Sequence, residues 1–174
     1  MSCNVRTVSI LLISNCLATS ILAQSSIEVH LLRKVRPMFD NRVVSGFEYD
    51  SSDVVREALI HDEEIVGYDS ADSSILFTDS TAKRIGRLEP SLPIGIPFIL
   101  TIDGEPVLSG YFWNPTSSFG CKTCVIFASN EPRQRIFNGL PPSEDKVERS
   151  RCVKSAIIRA CSITGRLEMS KGQK

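Results

Sequence analysis

Cys121-Lys122-Thr123-Cys124 places two thiols three residues apart, directly before the apolar run Val125-Ile126-Phe127. Such a pair can exchange disulfides, close a structural cross-link, or supply half of a zinc site. Exchange needs a thiolate of lowered pKa, usually at a helix N-terminus. Here β-branched Val125 and Ile126 follow instead of an amphipathic helix, and Lys122 is the one neighbour that favours a thiolate. A cross-link must satisfy geometry. Four extended residues would hold the two Cα atoms about 10 Å apart at ~3.3 Å per residue, and a disulfide needs less than about 7 Å. A Cys121–Cys124 bond therefore requires a turn at Lys122-Thr123, which Gly120 makes accessible. The expectation is a closed Cys121–Cys124 pair, with thiol–disulfide exchange as the alternative use of the same residues.

Cys152 and Cys161 lie further along, on what reads as a helix. Nine helical residues rise about 13.5 Å and turn the two side chains to opposite sides. They cannot pair with each other there, nor approach one metal ion together. Cys161 is expected as a core thiol. Cys152 is left open, a cross-link from the 121/124 turn to Cys152 being the rival pairing. Zinc wants four Cys or His ligands, and His30 and His61 are the only histidines. No metal and no cofactor are expected. Asp69-Ser70-Ala71-Asp72 lacks the spacing of a calcium loop, and His61-Asp62-Glu63-Glu64 has no nucleophile motif beside it.

The one aromatic cluster is Tyr111-Phe112-Trp113, followed by Ser117, Ser118 and Phe119. On a strand these rings alternate between faces, and packing explains most of them. An outward Trp113 would instead anchor a partner, since Trp is favoured at binding hot spots. Tyr111, Trp113, Ser117 and Ser118 are the candidate contact residues, on a loop running from Trp113 to Cys124. A strand edge beside it could take an extended peptide by strand addition.

These residues need elements to position them. Ile27-Glu28-Val29-His30-Leu31 alternates and reads as a half-buried strand. Residues 33–52 read as a long irregular connection. Asp53 reads as the N-cap of a helix carrying Val54, Val55, Ala58 and Leu59 on one face. Ser74–Thr78 reads as a strand, and Asp79 or Ser80 as the cap of a short helix with Ala82, Ile85 and Leu88. The clearest unit follows: Ile96–Ile102, Asp103-Gly104, then Val107–Trp113, a hairpin by its turn residues. Pro106 predicts an edge or a bulge in the return strand. Cys124–Ala128 reads as a strand. A final helix over about 144–163 would turn Val153, Ala156, Ile157, Ala160 and Cys161 inward and stop at Gly165.

The ends and the charge bound the class. Arg6 precedes an apolar stretch, Val8 to Leu22, that is broken by polar residues and closes on Ala23. This is the pattern of a secretory signal cleaved after Ala23. Lipidation at Cys16 is the lesser option, because Asn15 fits poorly before a lipidated cysteine. The expected layout is a signal over 1–23, one domain over 24–168 and a tail over 169–174, with no membrane span after cleavage. Net charge is near zero but uneven. Nine acids lie between Glu48 and Asp72, and ten basic residues between Arg133 and Lys174. The plain reading is two faces that attract each other within the fold. A nucleic-acid role is not expected, because much of the basic set lies on the final helix of an exported chain.

The stretch ILFTDSTAKRIGRL, then IPFILTIDGEPVLS, resembles the head subdomain of the first periplasmic domain of the SecD protein-export subunit. It covers roughly residues 75–109: a strand ending in Phe-Thr, a helix, a strand closing on Asp-Gly, and a return strand. The resemblance implies a ferredoxin-like α+β module with an antiparallel sheet and helices packed on one face, which contacts a protein partner. No transmembrane bundle accompanies it, so translocation itself does not carry over. The sequence thus points to an exported, non-catalytic protein-interaction module in the periplasm or outside the cell. A thiol–disulfide oxidoreductase using Cys121 and Cys124 is the alternative.

Overall fold

The computed structural model describes residues 25–141, 155, 157–162 and 164–168. In chain order the elements are β1 (Ile27–Leu31), β2 (Arg36–Asp40), β3 (Val43–Glu48), β4 (Ile65–Asp69), β5 (Ser74–Phe77), α1 (Asp79–Gly86), β6 (Ile96–Ile102), β7 (Glu105–Trp113), β8 (Gly120–Cys121), β9 (Cys124–Phe127), β10 (Arg133–Phe137) and β11 (Leu167–Glu168). Residues 157–162 are helical. Residues 1–23, Cys16, Cys152, Val153, Ala156 and the tail 169–174 lie outside the described residues.

The β6–β7 hairpin forms where the turn chemistry puts it. Asp103 and Gly104 both take positive φ, 55° and 81°, as a primed two-residue turn requires. The ladder then jumps from Leu100↔Leu108 to Thr101↔Pro106, leaving Val107 extra. That is the bulge Pro106 calls for, since it has no N–H to give the ladder. Helix α1 is capped by Thr78, whose side chain accepts from the Thr81 N–H. Ala82 and Ile85 are buried. Eight residues do not sustain a helix in water, so α1 depends on burying this face.

The strands form an eight-stranded sheet, β1-β6-β7-β9-β10-β5-β4-β11, and a three-stranded sheet, β2-β3-β8. The fold is β-rich α+β. The expected antiparallel sheet is corrected to a mixed one: β7–β9, β4–β11 and β3–β8 pair parallel. Strands β5 and β6, on either side of α1, run in opposite senses with β10, β9 and β7 between them. A strand–helix–strand crossover of the ferredoxin-like kind would leave them parallel.

Two further expectations change. The connection over 33–52 holds the β2–β3 hairpin, turned at Asn41 with φ 56°. The helix expected after Asp53 is absent. Asp50 instead caps a single 3-10 turn, Ser51–Asp53, and residues 54–60 run along β1. The Val55 N–H donates to the Leu31 carbonyl at 2.9 Å and the Leu59 N–H to the Val29 carbonyl at 2.8 Å. Open groups on the β1 edge bind the donors a helix would have used.

The sheet is covered on both faces at β7 and β9. One core gathers Ile27, Val29, Ile60, Ile65, Phe77, Ile85, Phe98, Phe112, Cys124, Ile126 and others, with Ile157, Ala160 and Cys161 from the C-terminal helical residues. A smaller core holds Val44, Tyr111, Trp113, Cys121 and Val125. Ion pairs then join the acidic and basic stretches of the chain. Arg166 meets Asp62 at 2.6 Å, and Arg133 meets Asp69 at 3.0 Å and Asp72 at 3.6 Å. This is the mutual attraction read from the uneven charge. It also places Asp69 and Asp72 against a guanidinium.

Candidate functional site

Strand alternation fixes the site. Tyr111↔Val125 and Trp113↔Phe127 are opposite pairs in the parallel β7–β9 ladder. Tyr111, Trp113 and Val125 point into the small core, while Phe112, Cys124 and Ile126 point into the large one. Tyr111 and Trp113 stack edge-on with centroids 5.9 Å apart, and Phe47 meets Tyr111 at 5.0 Å. Trp113 lies over Gly95. A Cβ there would sit 2.3 Å from the Phe112 carbonyl oxygen and 2.9 Å from Trp113 Cε3, so only glycine fits. The outward Trp113 anchor is therefore corrected: both aromatic residues are buried in the small core.

The loop after Trp113 is held by its own polar groups. Asn114 Oδ1 accepts from Thr116 N–H at 2.9 Å and from Thr116 Oγ1 at 2.7 Å. Ser117 N–H donates to the Asn114 carbonyl at 3.0 Å. The Ser117 hydroxyl donates to the Leu92 carbonyl, and its oxygen accepts from Phe119 N–H at 3.2 Å. Ser117 is thus committed to shaping the loop, and exposed Ser118 stands beside it. The chain returns through β8, where Cys121 N–H and the Leu140 carbonyl, and Leu140 N–H and the Cys121 carbonyl, bond at 2.8 and 2.6 Å. Between the loop and Leu140-Pro141 lies a cleft of about 290 Å³. Trp113, Phe119 and Phe127 line it together with Asn114, Ser117 and Ser118. Sequence reasoning missed Phe127, Leu140 and Pro141, which only strand pairing and the Cys121–Leu140 bridge bring to the loop.

Cys121, Cys124 and Cys161 are all buried. The expected Cys121–Cys124 bond is not formed. Cys121 sits in the small core with its Sγ 3.2 Å from Thr123 Oγ1, and Cys124 in the large core. Burial first, and then the neighbouring Cys121, push the Cys124 thiol far above its ordinary value. Burial also raises Cys161; Arg166 lowers it and Asp62 raises it, each by less. Such thiols are poor nucleophiles. The Tyr111 phenol is likewise raised by burial and then by Cys121. Tyr111 Oη and Trp113 Nε1 are buried without a hydrogen-bond partner among the described residues, so this core carries two unsatisfied polar groups.

His30 and His61 flank Glu28, at 3.3 and 4.0 Å. Among the described residues no three His, Cys, Asp or Glu side chains are grouped to hold a metal ion, and no helix is long and apolar enough to cross a membrane. No protein-family model, no curated protein and no solved structure matches the chain.

Proposed function

We propose that this chain is a non-catalytic protein-interaction module that acts outside the cytoplasm and holds an apolar segment of a partner protein in the Trp113–Pro141 cleft. The observation that carries the reading is the cleft itself: aromatic walls, a floor built on the sheet, and a rim of Asn114, Ser117 and Ser118. Apolar side chains interspersed with placed polar groups suit ligand recognition. The reading keeps the contact loop expected from sequence but assigns its residues new parts. Trp113 supports the floor, Tyr111 packs beneath it, and the rim meets the partner. The likeness to the SecD head enters only through the order strand, helix, strand, Asp-Gly, strand. The rival reading, disulfide exchange at Cys121 and Cys124, needs an accessible thiolate, and both thiols are buried.

The test is peptide selection against the full chain, repeated on Ser118→Arg. This substitution fills the cleft mouth from an exposed position and leaves Trp113 in place. Selected peptides should lose at least tenfold in affinity while the melting temperature stays unchanged. Binders indifferent to Ser118→Arg would sink the assignment. The export part of the proposal is tested by reading the N-terminus of the secreted chain, with Gln24 expected first. An intact Met1 refutes it.

A further inference from the structure

We propose that the outer edge of β2 is a self-association edge, pairing antiparallel with β2 of a second copy of this chain about a two-fold axis through Met38. The surface is separate from the cleft, so the two readings stand or fall independently. Among the described residues, strand β2 pairs with β3 alone and forms one edge of its sheet. Met38 and Phe39 are 44% and 46% exposed. The chain covers the outer edge of β1 with residues 54–60, whereas no described residue hydrogen-bonds along the outer edge of β2 as a strand. A free edge is a template for another strand.

The edge is regular where it matters. The ladder passes from Met38↔Gly46 to Phe39↔Val44, so the extra residue is Ser45, on β3, and β2 itself is not bulged. The Ser45 hydroxyl donates to the Met38 carbonyl at 3.2 Å, which turns the Met38 carbonyl toward β3. Backbone groups alternate along a strand. The Pro37 carbonyl and the Phe39 N–H and carbonyl therefore face outward. Pro37 lacks an N–H in any case.

Self-complementarity then selects one register. A two-fold axis through Met38 sets Pro37 opposite Phe39 of the second copy, and each Phe39 N–H donates to a Pro37 carbonyl. It sets Arg36 opposite Asp40 of the second copy, twice, a favourable cross-strand charge pair; Asp40 accepts from Lys122 Nζ at 2.6 Å within its own copy, so Arg36 would share that exposed carboxylate with Lys122. An axis through Pro37 would oppose two prolines with no donor between them. An axis through Phe39 would set Arg36 against Arg42 and draw the turn residue Asn41, at φ 56°, into the ladder. Five residues make a small interface, so the association is transient and concentration-dependent.

Met38 then faces Met38 of the second copy as a pair without backbone bonds, with Cα atoms about 4.5 Å apart. That lies within disulfide range, about 4.4–6.8 Å. The experiment compares Met38→Cys with Val66→Cys, on a residue 49% exposed in β4, in the full chain under a mild oxidant. The wild-type chain gives the background from its other thiols, and the linked peptides are identified by mass spectrometry. Met38→Cys should form a 38–38 linked dimer at least tenfold faster than Val66→Cys forms its own. Adding Arg36→Asp, which sets Asp against Asp40, should return the rate to that of Val66→Cys. Chemical unfolding of each variant verifies the fold, and sedimentation of the unmodified chain should show a dimer that grows with concentration. A Met38→Cys rate no faster than Val66→Cys, indifference to Arg36→Asp, or a strict monomer whose edge binds only a foreign extended peptide would each overturn the proposal.

Discussion

Glu64→Gln should weaken the fold by about 2 kcal/mol at neutral pH and by almost nothing near pH 2. Glu64 joins the turn before β4 to helix α1. Its Oε2 accepts from Arg84 Nη2 at 2.6 Å and from His61 N–H at 2.9 Å, and its Oε1 accepts from Thr81 Oγ1 at 2.9 Å. Burial on its own would raise the carboxyl pKa. The bonds from Arg84, His61 and Thr81, with the Arg84 charge, outweigh that and hold it at about 2, against an ordinary 4.5. The shift corresponds to about 3 kcal/mol at ~1.4 kcal/mol per unit. Arg84 is 41% exposed, and solvent screening reduces the figure to about 2 kcal/mol. Gln is isosteric: its oxygen can keep the Arg84 and His61 bonds, and its amide can donate to Thr81, so the change reports on the charge. A depressed carboxyl pKa stabilises fully above the unfolded value, near 4.5, and the contribution fades as pH falls toward 2. Urea unfolding followed by the fluorescence of the single tryptophan, Trp113, measures it at pH 7, 5, 3.5 and 2.5. At pH 7 the melting temperature should drop by about 4–8 °C for a chain of this size. A loss of equal size at pH 7 and pH 2.5 would refute the reasoning, because the pair would then act through packing.

Two further outcomes follow from the small core and the thiols. Tyr111→Phe removes a buried hydroxyl that has no hydrogen-bond partner among the described residues and should leave stability unchanged or raise it by about 1 kcal/mol; a clear loss in chemical unfolding would mean that the hydroxyl is satisfied in solution. Cys121, Cys124 and Cys161 should resist iodoacetamide in the folded chain and react only as fast as the protein opens. Rapid labelling of Cys121 or Cys124 at mildly acidic pH would instead restore disulfide exchange as a reading.

Legibility in the sequence followed the range of the forces involved. Asp103-Gly104 specified its hairpin because positive φ is a local demand that these two residues meet. Ile27–Leu31 read correctly from alternation alone, and α1 from its apolar spacing, although Thr78 caps it rather than Asp79 or Ser80. Gly165, at φ 70°, ends the C-terminal helical residues as a glycine stop should. The inward face of that helix was legible too, since Ile157, Ala160 and Cys161 are buried.

What no local pattern held was decided by partners distant in the chain. Val54, Val55, Ala58 and Leu59 have helical spacing, but their segment gives its amides to β1, some 25 residues earlier. The β2–β3 hairpin lacks an Asn-Gly or Asp-Gly turn, and Asn41 supplies the left-handed residue alone. The two cysteines of the opening motif lie three apart in sequence, yet strand alternation and the separate pairing of β8 and β9 send them into different cores. Composition and turn chemistry pointed to one α+β domain with one strong hairpin; that the sheet dominates it came from the structure. Only the tertiary structure decided that Trp113 would face inward, that Phe127 and Leu140 would wall a cleft beside Ser118, and that β2 would end its sheet among the described strands, because each depends on which strands find each other across long stretches of chain.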